Sequence, residues 1–310
     1  MQSFAAYGLE IQKQFVPDLE EVLVTNVSLR NRGFEVALSS GERLHSRRVV
    51  VCTGLSGLAR IPDALRELSP DRMRHTFDIS DYSEFRNKTV AVVGAGASAI
   101  EAGALVHEAG GCSEIFVRGH QAVFHGRTQR VRPLWERIKN PVTVLGAGRD
   151  NWLLQQLPLS VYMLPLERRT PFVKRYLGPA SPWWIKDRVL GKVAIHVHHE
   201  LVGVSSAGQR LHLKIRNGDG NLRNVEVDFV VAGTGYNADV SRLNFLDAEI
   251  LSRVRRIEQA PRLDINFQSS VPGLHFVGPL SFMCFGPLFR FVAGAEVTAR
   301  RLSRQFSHHN

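Results

Sequence analysis

The stretch Val92-Val93-Gly94-Ala95-Gly96-Ala97-Ser98-Ala99 constrains this chain more than any other. Thr89 to Val93 is a short apolar, β-branched run, the pattern of a strand buried on both faces. Ser98 to about Ala109 reads as a helix stopped at Gly110-Gly111, and Glu114-Ile115-Phe116-Val117 reads as a further strand. Strand, helix and strand within about thirty residues predict a right-handed crossover between parallel strands. In that setting Gly94 permits a tight turn off the strand, Gly96 lets backbone approach a pyrophosphate, and small Ala99 lets the helix lie close to the strand. The helix N-terminus, with Ala95 and Ser98 beside it, offers free N–H groups and the positive end of its dipole to phosphates. A glycine turn without a ligand is the alternative. It requires the strand and helix on either side to be coincidence.

A unit of this kind that binds NAD carries an acidic residue about twenty positions on, at the end of the second strand, for the ribose 2′-hydroxyl. This strand ends instead in Val117-Arg118-Gly119-His120. A guanidinium at Arg118 suits a 2′-phosphate, which favours NADP(H) over NAD(H). The competing reading of Arg118 is a solvated strand-end arginine. Arg127 and Arg130 are further candidates for phosphate contacts.

A formal charge of +10 raises the question of nucleic acid, but Lys and Arg are spread along all 310 residues without a basic tail or an RNA-binding motif. An anionic cofactor is the more economical partner. Apolar content of 44% and charged content of 22% fit a globular protein, and no apolar run is long enough to span a membrane. The start of the sequence lacks the basic and apolar segments of a secretory signal. Cys52, Cys112 and Cys284 are scattered and form no CxxC, which suggests reduced thiols in a cytoplasmic setting and argues against dithiol chemistry.

Two more strings pair an apolar strand with a small-residue turn: Val50-Val51-Cys52-Thr53-Gly54 and Val230-Val231-Ala232-Gly233-Thr234-Gly235-Tyr236. With the glycine turn between them, the chain resembles the flavoproteins with two dinucleotide domains, and among them the flavin-containing and N-hydroxylating monooxygenases. In that group a nicotinamide domain is inserted into a flavin domain, and the strings at Thr53-Gly54 and Thr234-Gly235 are similar to the two crossings. His75 is similar to the family's histidine ahead of the inserted glycine turn. Gly273 to Gly278 is similar to the segment that meets the flavin, and Phe289 to Phe306 reads as one closing amphipathic helix.

The resemblance implies an α/β fold in which a Rossmann-like NAD(P)-binding domain (63–230) is inserted into an incomplete FAD-binding Rossmann-like domain (1–62 and 231–310). It implies NADP(H) and FAD as cofactors. The nicotinamide would deliver hydride to the flavin, which would activate oxygen and hydroxylate a small-molecule amine or thioether. The implied cofactor contacts are Gly94, Ala95, Gly96, Ser98, Ala99 and Arg118 for the nicotinamide nucleotide, and Thr53, Gly54, Thr234, Gly235 and Gly278 at the crossings and the flavin segment.

Two departures qualify this. Residues 1–60 contain no GxGxxG, so the sequence reads as beginning after the family's first fingerprint, and Pro279 stands where many relatives carry an acid. A second reading is therefore an NADP-binding module, either non-enzymatic or active with a chain that supplies the flavin fingerprint.

Other patterns are weaker. Val142 to Gly148 mimics a fingerprint, but bulky Arg149-Asp150-Asn151-Trp152 follows where small residues are needed. His196 and His198 share a strand face with His199 opposite, without a recognisable third ligand for a metal. No acid–base pair or nucleophile stands out. The Trp-rich segment within residues 120–200 reads either as a substrate wall or as core packing.

Overall fold

The computed structural model describes residues 2–126, 132–176, 178 and 180–307; Arg127 and Arg130 lie outside them. After helix α1 (Gln2–Phe15), strands β1 (Val24–Arg30), β2 (Gly33–Leu38) and β3 (Arg43–Ser46) form an antiparallel meander, followed by β4 (Val49–Val51). The apolar run Glu21 to Val24 contributes only Val24 to this meander. The two-residue turn Asn31-Arg32 sets the register by pairing Arg30 with Gly33 and Val27 with Val36, which turns Val27 into the core.

The chain then enters β5 (Met73–His75), β6 (Thr89–Val93), α2 (Ala97–Glu108) and β7 (Cys112–Val117). Short elements follow: α3 (Leu134–Lys139), the hairpin β8 (Val142–Thr143) and β9 (Gly146–Ala147), α4 (Arg149–Gln156), α5 (Leu166–Arg175) and α6 (Lys186–Val189). Strands return as β10 (Ala194–Val197), β11 (Glu200–Ala207), β12 (Arg210–Arg216), β13 (Leu222–Val227) and β14 (Phe229–Ala232). The last part contains α7 (Ala248–Arg253), the pair β15 (Arg256–Ile257) and β16 (Ala260–Pro261), β17 (Leu274–Phe276), α8 (Phe282–Phe285) and α9 (Ala295–Ser307).

The central sheet has five parallel strands in the order β10-β7-β6-β14-β5. Its strands are nearly continuous apolar runs because both faces are covered. Val90, Val92, Ile115 and Val117 pack with Ala99 and Ile100 of α2, while Ala91, Phe116 and Val230 pack against Leu211, Leu213 and Ile215 of the antiparallel sheet β11-β12-β13. Each of these fully buried aliphatic or aromatic side chains contributes about 1.5–3 kcal/mol. The Asn217-Gly218-Asp219-Gly220 run, rich in turn-forming residues, joins β12 to β13.

A separate core joins the meander, the parallel pair β4–β17 and the C-terminal elements around Phe34, Phe267, Phe276 and Phe285. The closing helix is shorter than expected. Short 3-10 turns over Pro287–Arg290 and Val292–Gly294 replace its first part, and Gly294 fits so tightly that a Cβ there would lie 2.8 Å from the Leu288 carbonyl oxygen, so α9 starts at Ala295. Among the described residues no helix is long and apolar enough to cross a membrane.

Candidate functional site

The glycine turn lies where the sequence places it, at the carboxyl end of β6 and the start of α2. Gly94 donates its N–H to Phe116 O (3.0 Å), and Gly233 donates to Val93 O (2.9 Å), so the turns after β6 and β14 are laced to neighbouring strands. A Cβ at Gly94 would run into the carbonyl of Gly233, and a Cβ at Gly233 would lie 2.5 Å from the Ala99 Cβ. These two glycines are therefore required by packing. Gly96 is different. Its φ of −83° suits any residue, no protein atom lies within 4 Å of where its Cβ would be, and it caps α2 without a side-chain hydrogen bond. Ser, Thr, Asp or Asn would cap that helix better. The glycine leaves open space in front of the free N–H groups of a twelve-residue helix.

Arg118 follows β7 at the same carboxyl edge, and its side chain is 72% exposed. Its partner Glu200 stands 3.9 Å away and is shared with Arg216 (3.6 Å). An exposed pair of this length contributes at most about 1 kcal/mol, which leaves the guanidinium available to an anion. The end of β10 is tied to the same place, with His198 N donating to Gly119 O (3.0 Å) and the His120 and His198 rings 4.7 Å apart.

The two crossing strings run side by side. Arg60 N donates to Gly235 O (2.8 Å), Asn237 N donates to Leu58 O (2.9 Å), and Thr234 Oγ1 donates to Arg60 O. Buried His75 completes the junction. Its Nδ1 accepts from Phe77 N (3.1 Å), which leaves Nε2 to donate to Gly235 O (3.1 Å). Burial holds the His75 pKa below the usual histidine range, so the ring stays neutral in that tautomer.

At the carboxyl end of β4 and β17, Thr53 Oγ1 is buried without a hydrogen-bond partner. Gly54 and Gly278 have no protein atom within 4 Å of where a Cβ would stand. Val277 N donates to Val51 O (3.2 Å), which brings the Gly278 turn beside the Thr53 turn. An orphaned hydroxyl in the same strand-end cluster as two open glycine turns fits the edge of a bulky ligand such as a flavin.

Every candidate residue thus sits at the carboxyl end of a parallel strand, where α/β folds bind ligands. The residues form two groups, Gly94 to Ala99 with Arg118 and Thr53-Gly54 with Gly278, and the paired crossings join them through Thr234 and Gly235. Sequence reasoning missed the direct packing of Gly233 on Ala99 and the role of His75 as a strut, since both depend on residues far apart in the chain.

The weaker patterns resolve differently. Val142 to Gly148 is an antiparallel hairpin of two-residue strands, not a strand of the parallel sheet. His196 Nε2 pairs with Glu114 (2.7 Å) and its ring stacks on Phe116, while His199 Nδ1 bonds Val197 O (2.6 Å). Among the described residues no group of three His, Cys, Asp or Glu is placed to hold a metal. Trp135, Trp152, Trp183 and Trp184 are 40–65% exposed, while Leu154, Val161, Val173, Ile185 and Val189 of the same segment pack in the cores.

The family described as pyridine nucleotide-disulphide oxidoreductase matches residues 4–143. No curated protein matches the sequence. Among solved structures, ornithine hydroxylase from Pseudomonas aeruginosa superimposes with a TM-score of 0.75 at 18% identity, over 99% of this chain and 76% of that one. The ornithine N-hydroxylase of Kutzneria sp. 744, solved with reduced FAD, NADP+ and L-ornithine, gives 0.73 at 16% identity over 99% and 76%. Bacillithiol disulfide reductase from Staphylococcus aureus gives 0.61 at 14% identity over 100% and 77%.

This chain has the fold of the FAD/NAD(P)-binding oxidoreductases. The α/β class and the parallel Rossmann-type sheet expected from the sequence are those observed.

Proposed function

We propose that this chain is an NADPH-dependent flavoprotein oxidoreductase of the monooxygenase type, acting on a small-molecule amine. The observation that carries the reading is Gly96, a glycine that neither its conformation nor its protein neighbours require, at the exposed N-terminus of α2. Residues 63–230 hold the nicotinamide nucleotide, with Gly94, Ala95, Gly96, Ser98 and Ala99 along the pyrophosphate and Arg118 on the 2′-phosphate. Residues 1–62 and 231–310 form the flavin side, where Thr53, Gly54 and Gly278 contact FAD and Thr234 and Gly235 line the passage between the two.

Bound FAD, reduced by NADPH, supplies the electrons for oxygen activation. The chain's own residues bind and orient. The α2 N-terminus fixes the pyrophosphate, neutral His75 holds the Gly235 turn, and the Thr53 hydroxyl gives the flavin edge a hydrogen bond. Titration of His75 is suppressed by its burial, so the passage keeps one geometry across neutral pH. The ornithine substrates of the two hydroxylases favour an amine. Cys52, Cys112 and Cys284 are separate free thiols, with no vicinal pair for the chemistry of a disulfide reductase.

The test is the visible spectrum of the purified full chain. Flavin bands that bleach on anaerobic addition of NADPH support the reading; a colourless protein that binds neither FAD nor NADP+ overturns it. One observation favours a second reading, a nicotinamide-nucleotide module that works with a chain bearing an FAD fingerprint. Among the described residues β4 pairs with β17 alone, leaving its other edge without a neighbouring strand. A colourless protein that binds NADP+ would select that reading.

A further inference from the structure

At the opposite, amino end of β4 and β17 lies a recess of about 420 Å³ in which four arginines converge. Arg30 and Arg32 come from the β1–β2 turn, Arg47 from the approach to β4, and Arg253 from the end of α7. None of the residues lining the recess is acidic. Two of the four arginines are already paired with carboxylates. Glu35 is shared between Arg30 (3.0 Å) and Arg43 (2.7 Å), and Glu249 pairs with Arg253 (2.5 Å) along one turn of α7. Among the described residues, Arg32 and Arg47 are exposed and form no ion pair.

The recess is built by close backbone packing. A Cβ at Gly33 would run into the Ser46 carbonyl, and one at Gly273 would lie 2.6 Å from the Arg47 carbonyl oxygen and 3.2 Å from the Phe34 ring. Both glycines have positive φ, 148° and 83°, so the β1–β2 turn and the Pro272-Gly273 turn close on the Arg47 backbone from two sides. The floor is held by Ser270, whose hydroxyl donates to Arg253 O (2.7 Å) and accepts from Arg255 N (2.7 Å). Such packing fixes the backbone from which the four arginines line the recess. Arg30 and Arg253 are balanced by Glu35 and Glu249, whereas Arg32 and Arg47 leave a positive potential on the recess that an anion would lower.

We propose that this recess is a binding site for an oligophosphate anion, a molecule with two or more linked phosphoryl groups. Guanidinium groups engage phosphoryl oxygens in bidentate pairs, and the unpaired Arg32 and Arg47 can each take one phosphoryl group of a linked pair. A recess of about 420 Å³ is of ligand-pocket size and larger than one phosphate needs. The three residues of β4 separate it from the Thr53 turn by about 10 Å. It is therefore distinct from the dinucleotide sites, and the proposal does not rest on their assignment.

The test uses the full chain and sodium tripolyphosphate, with binding measured by titration calorimetry and inorganic phosphate as the comparison. Tripolyphosphate is expected to bind one-to-one, at least tenfold more tightly than phosphate, with affinity falling as salt rises from 50 to 200 mM. The double variant Arg32→Ala/Arg47→Ala should lose at least tenfold while its NADP+ binding and melting temperature stay unchanged. Arg32→Ala alone, at an exposed turn, provides the same reading with smaller effect if the double variant fails to fold. No binding by the native chain, or binding unaffected in both variants, would overturn the proposal. So would a random-sequence DNA duplex that binds through the same arginines while tripolyphosphate fails to compete with it, since the recess would then serve nucleic acid.

Discussion

Gly233, in the turn after β14, packs directly on Ala99 of α2, so closely that a Cβ at 233 would lie 2.5 Å from the Ala99 Cβ and 2.9 Å from its backbone nitrogen. The glycine string after β14 thus braces the glycine turn after β6. Substituting Gly233→Ala should cost about 1–3 kcal/mol through overpacking, visible as a lowered melting temperature. Gly96→Ala should cost no more than about 1 kcal/mol and yet weaken NADP+ binding at least tenfold in a calorimetric titration. Equal loss of stability in both variants would refute the division between packing and ligand-facing glycines.

Arg118 offers the second check. Its ion pair with Glu200 is long and exposed, so Arg118→Ala should leave stability within about 0.5 kcal/mol of the native chain. Removing a charged hydrogen-bond donor to the 2′-phosphate should cost about 1.5–3 kcal/mol of NADP+ affinity, roughly tenfold to a hundredfold, with NAD+ binding unchanged. A parallel loss for both nucleotides would place Arg118 outside the 2′-phosphate site.

How far could this arrangement be read from the residues alone? The β6–α2–β7 unit was legible because its strands are buried on both faces and each small residue has a defined task. The hairpin at Asn217 to Gly220 was legible from turn chemistry. Less visible was α1, whose Tyr7, Ile11 and Phe15 fall four residues apart yet are exposed rather than packed on the core. The late start of the expected closing helix came from tertiary packing at Gly294, which no local pattern announces. Within the site, Gly96 and Arg118 follow from spacing. The His75–Gly235 bond and the arginine recess join segments far apart in sequence and had no local signature.

His275 yields a pH prediction. It is 1% exposed, neither ring nitrogen has a partner, and burial pushes its pKa down to about 4. In the unfolded chain the ring titrates near 6.5, so between these values the unfolded state binds the extra proton. Stability from this group is complete above about pH 6.5 and is lost as pH falls towards 4, by up to roughly 3 kcal/mol. The lowered pKa of His75 acts in the same direction. His275→Leu should flatten the acid limb of a urea-denaturation series between pH 7 and 4, and raise stability at pH 7 by about 1 kcal/mol. An unchanged acid limb would contradict the assignment.

Thr53→Val removes the orphaned hydroxyl while keeping the shape of the side chain. The variant should be as stable as the native chain or up to about 1 kcal/mol more so, because an unsatisfied buried oxygen is lost. Its flavin content after gel filtration, read as the ratio of visible to ultraviolet absorbance, should fall below that of the native chain. A marked drop in melting temperature would mean that the hydroxyl already has a partner in the fold.

The hydrogen bonds between Arg60 and Gly235 and between Leu58 and Asn237 bring the point where the chain departs for the five-stranded sheet next to the point where it comes back. A unit whose two ends are neighbours can be cut out and closed with a short linker, or spliced between adjacent positions of another host, without stretching either partner. The five-stranded unit is thus portable: it can be traded between frameworks as a cassette, with its glycine turn carried along intact.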